Sequence, residues 1–404
     1  MSHVQVVGTG HSFNASAAAD TQAPAATTDA VYLDALAAAA PPVIEDGGAT
    51  VSVCGGSTYA ALFAFLADTP YAVHNAASLP HISVGGSVAT GTHGSGARNG
   101  SLATSVVRVE LVTPSGEIRL IARGDPDFDG VVVNIGALGV VTRLWLMLVP
   151  SFQLRQDVFD GLPFDTALSN LPAIMSAGYS VSLFTTWRAT PLVFEQVWRK
   201  SLPQELAPEC GAGGEAPPTF YGAARATSAR HPIAAVPPGP CTQQLGVVGP
   251  WHARLPHFRA EFTPSVGEEL QAEYFVAAAD APAALAALAL LAPRIAPLIH
   301  VTEIRAIAAD SLWLSPAYHR DSIAIHFTWR ALPGPVAALL PDIEAALAPY
   351  TPRPHWGKLF AAGPSAIAAA YPRHADFSAL RARLDPTAKF ANDFLRTAGV
   401  LGAA

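Results

Sequence analysis

The chain opens with a short turn whose residues could bind a phosphorylated ligand. A predicted strand from His3 to Val7 runs into the sequence GTGHS, which comprises Gly8, Thr9, Gly10, His11 and Ser12. Because glycine has no Cβ, the backbone N–H groups of such a turn can approach a phosphate closely. The spacing is not GxGxxG, so the fingerprint of the ordinary Rossmann fold is absent. A cofactor-binding turn and a plain structural turn both remain open from these residues alone.

A second segment, from Ser78 to Gly96, is dominated by Gly, Ser and Thr. Such a composition offers many free N–H and hydroxyl donors, which a pyrophosphate or the edge of a flavin ring requires. A flexible Gly/Ser loop is the alternative interpretation. The interleaved apolar residues Ile82, Val84 and Val88 indicate a packed segment, which favours a cofactor cradle.

Polar side chains that could bind a substrate lie on predicted strands further along the chain. Alternation in the sequence SIAIHFTW places Ser322, Ala324, His326 and Thr328 on one strand face. Glu303 and Arg305, two apart on another strand, project to one side. A polar face suits a substrate with several hydroxyls, because each buried hydroxyl needs a partner. An exposed ion pair is the alternative for Glu303 and Arg305.

The chain contains two regions with different sequence patterns, and the folds of these regions must position the candidate residues. Up to about residue 150, short strands alternate with Gly-rich turns, and beyond it alternating segments such as Tyr179 to Trp187 indicate a second sheet. A chain of 404 residues exceeds one ordinary core. We therefore predict at least two domains, the second of α+β type, with a helix from Ala281 to Pro297.

The composition excludes several classes of protein. Lys and Arg number 24 against 31 acidic residues, for a net charge of −7, and this argues against nucleic-acid binding. The three cysteines form neither a disulfide framework nor a metal-binding pattern, so we expect no metal site and a reducing compartment. Neither a membrane span nor a signal peptide is visible, and we expect a cytoplasmic protein without membrane partners.

An ordered series of motifs resembles the alditol (xylitol) oxidases of the vanillyl-alcohol-oxidase group of FAD-linked flavoproteins. The motifs are GTGHSFN, ASLPHISVGGSVATGTHGSG, GALGVVTRL, WHARLPHFRAEFTPS, EIR, HFTW, HWGK and DPTAKFAN. The resemblance implies an α+β fold with a two-lobed PCMH-type FAD-binding domain and a cap domain bearing a large antiparallel sheet. It divides the chain into residues 1–150 (FAD-binding), 151–355 (cap) and 356–404, which return to the FAD-binding domain.

The resemblance also implies an FAD cofactor, joined covalently to His11 at the flavin 8α-methyl carbon. The residues matching the FAD contacts of the family are Gly8, Thr9, Gly10, His11, Ser12, Ser83, Gly86, Thr90, Gly91, Thr92, His93 and Val141. Family members carry a further strand and helix before the GTGHS turn. We therefore expect a shortened first lobe, and FAD loading depends on whether that lobe suffices.

On the substrate side, the resemblance implies oxidation of a linear polyol by hydride transfer to the flavin, with O2 reduced to H2O2. The implied substrate-binding residues are Ser78, Glu303, Arg305, Thr328 and Lys358, and the implied catalytic residues are His326, Lys358 and Arg305. His326 and Lys358 are both candidate bases. A sugar-lactone oxidase or dehydrogenase and a flavin-free fragment remain as alternatives. A monomer is expected, although the sequence does not determine the oligomeric state.

Overall fold

The computed structural model describes residues 3–17, 28–205, 214–262 and 269–401. These residues combine many short helices with a large antiparallel sheet, which confirms the predicted α+β class. The last three residues of the motif WHARLPHFRAEFTPS fall outside the described residues.

The N-terminal region is built on three small sheets that bring its turns together. Strands β1 and β2 pair in parallel, an antiparallel sheet has the order β3-β4-β8-β6-β7, and β5 pairs with β9. The elements are β1 (His3–Val7), β2 (Thr28–Tyr32), α1 (Asp34–Ala39), β3 (Val43–Glu45), β4 (Thr50–Cys54), α2 (Tyr59–Leu66), β5 (Tyr71–Ala72), α3 (Val84–Ala89), β6 (Val106–Val112), β7 (Ile118–Ala122), α4 (Phe128–Val132), β8 (Val140–Met147) and β9 (Val149–Pro150).

The following region forms the large sheet, which we call the cap sheet. Its described strands have the order β13-β14-β10-β12-β11-β17-β18-β16-β19, with β15 beside β10, and all described pairings are antiparallel. The elements are β10 (Gln153–Pro163), α5 (Phe164–Ser169), α6 (Leu171–Met175), β11 (Ser180–Thr185), β12 (Val193–Ser201), β13 (Thr219–Phe220), β14 (Ala223–Arg225), β15 (Gly249–Pro250), β16 (Glu269–Ala277), α7 (Ala281–Ala289), α8 (Ala292–Ile295), β17 (Ile299–Ile307), β18 (Ser322–Arg330), α9 (Pro333–Leu347) and β19 (Arg353–Pro354).

One face of the cap sheet is apolar and packs against helices. Ile323, Ile325, Phe327 and Trp329 lie in one hydrophobic core with residues of α7 and α9. The alternation in β18 therefore predicted the buried face correctly, and the polar residues project from the opposite face. The predicted helix from Ala281 to Pro297 is interrupted instead, since α7 ends at Ala289 and Pro293 lies in the first turn of α8.

The C-terminal residues pack with the N-terminal region. Helices α10 (Pro364–Ala370), α11 (His374–Leu384) and α12 (Asp393–Thr397) contribute buried residues to the core that contains β4, β6 and β8. The Val4 N–H donates to the Lys389 carbonyl at 2.8 Å. Residues from the two ends of the chain thus pack together in one core. Among the described residues, no helix combines the length and the apolarity that a membrane crossing requires.

Candidate active site

The GTGHS turn lies against the start of α3, and together they form what we call the cradle, residues 8–12 and 83–93. The Ser83 N–H donates to Thr9 Oγ1 at 3.2 Å. A Cβ on Gly8 would collide with Ser83 Oγ, whereas a Cβ on Gly10 would meet no atom within 4 Å. The first glycine therefore permits close packing of the two segments, and the second lies at an open face with a φ of +71°.

Gly55, which follows β4, brings Val141 close to the cradle. The Gly85 N–H donates to the Gly55 carbonyl at 2.8 Å, and the Gly55 N–H donates to the Thr142 carbonyl at 2.9 Å. A Cβ on Gly55 would collide with the Val141 carbonyl. Only a residue without a side chain allows α3 and β8 to approach this closely.

The donor chemistry of the cradle fits the pyrophosphate of FAD. Within the described residues, the backbone N–H groups of Gly10, His11 and Ser12 have no hydrogen-bond acceptor, and Gly10 and His11 are exposed. In the other segment of the cradle, just after α3, the hydroxyls of Thr90 and Thr92 lie 3.1 Å apart. An open, neutral set of N–H and hydroxyl donors is what a phosphate group requires.

The sequence HWGK lies directly on the cradle. The Phe13 N–H donates to the Gly357 carbonyl at 2.8 Å, and Asn14 Nδ2 donates to the carbonyls of Trp356 and Lys358 at 2.7 and 2.8 Å. These bonds anchor Lys358 next to the turn that contains His11. The turn that contains His11 and the HWGK sequence were both predicted to contribute site residues. Hydrogen bonds between residues 342 and 344 positions apart bring these two segments together.

The register of the cap sheet places the other predicted residues on one face. His326 on β18 is paired with Glu273 on β16 and with Glu303 on β17, so all three side chains project to the same side. Arg305 and Thr328 follow on that side at the next alternate positions. We call this surface the polar face, consisting of Glu273, Glu303, Arg305, His326 and Thr328 on the sheet and Lys358 beside them.

Glu273, which the sequence analysis did not identify, is at the centre of the polar face. It is fully buried, and its carboxylate accepts from Lys358 Nζ at 2.6 Å and from Arg305 Nη2 at 3.0 Å. His93 Nε2 lies 3.3 Å away. Burial alone would raise the pKa of Glu273, but Lys358 and the other nearby cationic groups hold that pKa well below its ordinary value. Glu273 therefore remains ionised and holds both cations in place.

Arg305 connects the polar face to residues of the N-terminal region. Its Nη1 donates to Ser78 Oγ at 3.4 Å and to the His93 carbonyl at 3.5 Å. The predicted cofactor contact His93 is 2% exposed, and its Nδ1 lies 2.7 Å from the Gly94 carbonyl. The buried ring thus lies at the junction between the cradle and the polar face.

His326 and Lys358 are in direct contact. Lys358 Nζ is 2.8 Å from His326 Nδ1, and His326 Nε2 is 3.0 Å from Thr328 Oγ1. Burial and the neighbouring Lys358 lower the pKa of His326 to about 3, and burial lowers the pKa of Lys358 as well. A neutral imidazole thus lies between a hydroxyl and an amine of reduced basicity.

Glu303 has a further buried partner, His257, which in turn contacts Lys200, and the sequence analysis missed both residues. His257 Nε2 is 2.8 Å from Glu303 Oε1, and Lys200 Nζ is 2.9 Å from His257 Nδ1. Burial would raise the pKa of Glu303, but Arg305 and His257 hold it far below its ordinary value. His257 belongs to the motif WHARLPHFRAEF, so the resemblance marked the segment without marking this residue. For Lys200 and Glu273 the sequence showed only a charged residue in a predicted strand, a feature that exposed strand residues share.

Two family models match the chain. One described as FAD binding domain matches residues 2–121, and one described as D-arabinono-1,4-lactone oxidase matches residues 268–398. These matches cover the cradle and most of the polar face respectively.

Individual relatives extend over almost the whole chain. An alditol oxidase from Streptomyces sp. (strain IKD472 / FERM P-14339) is 47% identical over 96% of this chain and 88% of its own length. An L-gulono-1,4-lactone dehydrogenase from Mycobacterium tuberculosis is 27% identical over 97% of this chain and 89% of its own.

Solved structures share the fold at low identity. A cholesterol oxidase from B. sterolicum superposes with a TM-score of 0.74 at 15% identity, covering 98% of this chain and 89% of that one. A solvent-stable cholesterol oxidase gives a TM-score of 0.75 at 15% identity, with 98% and 90% covered. The predicted PCMH-type FAD-binding fold with a cap domain is thereby confirmed. The geometry of the cradle and these similarities agree, and the chain belongs to the alditol oxidase family of FAD-dependent oxidoreductases.

Proposed function

We propose that this protein oxidises the terminal hydroxyl of a linear polyol such as xylitol or sorbitol to the aldose, with O2 reduced to H2O2. The observation that carries the proposal is the polar face, where buried and paired charges meet Ser78 of the FAD-binding domain. The 47% identity to an alditol oxidase supports the choice of substrate class. Several fixed donors and acceptors suit a row of hydroxyls, because each hydroxyl that leaves water needs a partner.

The cradle residues would hold the cofactor, with His11 as the point of covalent attachment. The open N–H groups of Gly10, His11 and Ser12 provide donors for its phosphates. The chemistry that a bound FAD would supply is acceptance of a hydride from the substrate and transfer of the electrons to oxygen. The protein therefore has to orient the substrate, remove its hydroxyl proton and stabilise charge.

Lys358 is better placed than His326 to accept the hydroxyl proton. Lys358 donates to His326 Nδ1, and the proton on His326 Nε2 is directed to Thr328 Oγ1, so neither ring nitrogen offers a free lone pair. Lys358 uses two of its bonding directions on Glu273 and His326 and keeps a third. With its pKa lowered by burial, the neutral amine has a lone pair available in that direction.

Arg305, Glu303, Ser78 and Thr328 would bind and polarise the substrate. The Arg305 guanidinium, held by Glu273 at 3.0 Å, stabilises negative charge that develops on the substrate oxygen. Glu303 stays ionised beside it and accepts hydrogen bonds from hydroxyls. In a site closed to water, such preorganised charges contribute a few kcal/mol, on the order reported for oxyanion donors.

A sugar-lactone oxidase or dehydrogenase is the second candidate. The family model over residues 268–398 carries the name D-arabinono-1,4-lactone oxidase, and the mycobacterial relative is named a lactone dehydrogenase. These residues include most of the polar face, so the same charges could serve a lactone. The higher identity to the alditol oxidase favours the polyol.

The test is flavin reduction and peroxide formation on protein whose flavin content has been measured. Xylitol, sorbitol, glycerol and a gulono- or galactonolactone are mixed with the enzyme anaerobically, and absorbance near the flavin maximum is followed. We expect the pentitol and hexitol to reduce the flavin fastest, and peroxide to form when oxygen is admitted. Faster reduction by a lactone would transfer the assignment to the second candidate. Reduction by xylitol without peroxide would make the enzyme a dehydrogenase.

Covalent attachment at His11 is tested on denatured protein. Acid-precipitated wild type should fluoresce yellow on a denaturing gel, and His11→Ala should lose the fluorescent band. His81→Ala is the matched control, since this half-exposed ring bonds to the Ala260 carbonyl at 2.9 Å instead. A dark wild-type band from protein with stoichiometric flavin would contradict the covalent bond.

A further inference from the structure

A fully buried lysine lies behind the polar face and has all of its protons engaged. Lys200 on β12 is 1% exposed, and its Nζ lies 2.5 Å from the Leu255 carbonyl, 3.0 Å from the Pro256 carbonyl and 2.9 Å from His257 Nδ1. Burial lowers the pKa of Lys200 to about 7, whereas the nearby Glu303 carboxylate favours the charged form, and that ammonium form has three donors and no acceptor. The three contacts account for all three protons, so Lys200 has none left for a substrate.

These contacts fix the tautomer of His257. Since Nδ1 accepts from Lys200, the ring proton is on Nε2, which lies 2.8 Å from Glu303 Oε1. The opposite tautomer would direct a lone pair at the carboxylate and leave a buried lysine proton without an acceptor. Burial and the adjacent Lys200 lower the pKa of His257 to about 4, so the ring is neutral. Trp198 holds the ring edge-on with centroids 5.0 Å apart.

The hydrogen bond from His257 leaves one oxygen of Glu303 available. Oε1 accepts from His257, and the nearest atom of Arg305 is Nε, at 3.7 Å from the same oxygen. Within the residues that the structure describes, no hydrogen bond reaches Oε2. A carboxylate held at one oxygen and free at the other is suited to accept from a hydroxyl.

We propose that Lys200 and His257 are positioning residues, which lock the His257 tautomer and thereby turn Glu303 Oε2 toward the hydroxyls of the substrate. The proposal rests on the proposed function, because it concerns how the substrate is held. Lys358, the proposed proton acceptor, pairs with Glu273 and not with Glu303. Disturbing the Lys200–His257 pair should therefore raise the KM for xylitol much more than it lowers kcat.

Three variants and one control test the pair. His257→Phe retains the aromatic packing but removes the hydrogen bonds of the ring to Glu303, Lys200 and Ser182, and Lys200→Met removes the donor to Nδ1. His257→Gln can still donate to Glu303 and accept from Lys200. Thr242→Val is the matched control, since Thr242 Oγ1 donates to the Pro256 carbonyl at 2.7 Å, the carbonyl that Lys200 also uses, without contacting the imidazole.

We expect KM for xylitol to rise about tenfold or more in His257→Phe and in Lys200→Met, as loss of a charge-assisted hydrogen bond predicts. His257→Gln should recover most of the affinity, and Thr242→Val should keep the wild-type KM. An unchanged KM in His257→Phe, or equal KM values in His257→Phe and His257→Gln, would overturn the proposal. The difference in KM between His257→Phe and His257→Gln tests the proposal even if Lys200→Met fails to fold.

The tautomer itself is measurable without substrate. In ¹⁵N-histidine-labelled holoenzyme, the His257 ring, identified by its absence in His257→Gln, should show protonated Nε2 and unprotonated Nδ1 at pH 7. A proton on Nδ1 would overturn the proposal whatever the substrate is. If xylitol fails to reduce wild-type flavin, the proposed function is wrong, and so is the substrate role of Lys200 and His257. The tautomer measurement would still test the hydrogen-bond geometry around His257.

Discussion

The cradle and the polar face differ in how they satisfy their polar groups. In the cradle, small residues expose neutral N–H groups, and glycines permit segments to approach that any side chain would separate. On the polar face, charged side chains are buried, and each is held by another, with Glu273 pairing Lys358 and Arg305. The open N–H groups of the cradle can be satisfied by a bound ligand, whereas the charges of the polar face are largely paired with one another without a ligand.

This difference predicts different responses to substitution. Removing a charge from the polar face leaves its partner buried without compensation, which costs both activity and stability. Altering the cradle should mainly affect cofactor loading. The four predictions below test this division.

The largest effect is expected for Lys358→Met. Methionine keeps the length of the side chain but removes the proposed proton acceptor, so the rate of flavin reduction by xylitol should fall about a thousandfold. Stopped-flow absorbance on protein with measured flavin content gives this rate. Lys389→Met is the control, because Lys389 Nζ donates to the Pro114 carbonyl at 3.1 Å, outside the polar face. A rate within tenfold of wild type would assign the proton to another group.

Substitution of Glu273 by glutamine should have the largest effect on stability. The amide leaves the buried Lys358 without its counter-charge and Arg305 with only the more distant Glu303 at 3.7 Å, and we expect a loss of about 3 kcal/mol in the free energy of unfolding. Asp342→Asn removes an ion pair with Arg294 whose side chains are about half exposed, and should cost less than about 1 kcal/mol. The melting temperatures of the flavin-loaded variants provide the comparison, and equal losses would contradict the claim that the buried charges of the polar face depend on one another for stability.

The elements of both regions could largely be predicted from the sequence, but the partners on the polar face could not. The strand at His3–Val7 and the alternation in β18 are local patterns, and the structure confirms both. Glu273 lies 85 residues from Lys358, and the two meet because the HWGK sequence runs beside β16, where the His355 N–H donates to the Glu273 carbonyl at 2.9 Å. Nothing in the flanking residues of Glu273 specifies that contact.

The same reasoning explains why Lys200 was missed. The pattern FEQVWRK predicted the strand, but an exposed terminal lysine would produce the same pattern. Only the loop carrying Leu255, Pro256 and His257 over the sheet buries its ammonium group. The cradle, in contrast, consists of two short contiguous motifs, so its residues could be proposed from the sequence without knowledge of the sheet register.

The pH dependence of flavin reduction should report Lys358. Only the neutral amine accepts a proton, so below its pKa the rate should fall about tenfold for each unit of pH. Burial lowers the pKa of Lys358 from 10.5, so the rate should rise with pH and level off below that value. The nearby Glu273 carboxylate favours the ammonium form, and Glu273→Gln should therefore shift the plateau to lower pH. A pH-independent rate in wild type between pH 5 and 10 would argue against Lys358 as the base.

The smallest effect is expected in the cradle, from Gly10→Ala. Gly10 has a φ of +71°, where an alanine costs about 1–2 kcal/mol, although its Cβ would meet no neighbouring atom. Gly116 in the turn after β6 has a φ of +86° and equally open surroundings, so Gly116→Ala should cause a similar loss of stability. Only Gly10→Ala should also lower the fraction of purified protein that carries flavin, because only that turn presents N–H groups to the cofactor. Flavin content from the ratio of visible to ultraviolet absorbance measures the difference. Equal flavin content in the two variants would mean that the conformation of the GTGHS turn does not limit cofactor loading, and that the cradle tolerates strain as well as a surface turn does.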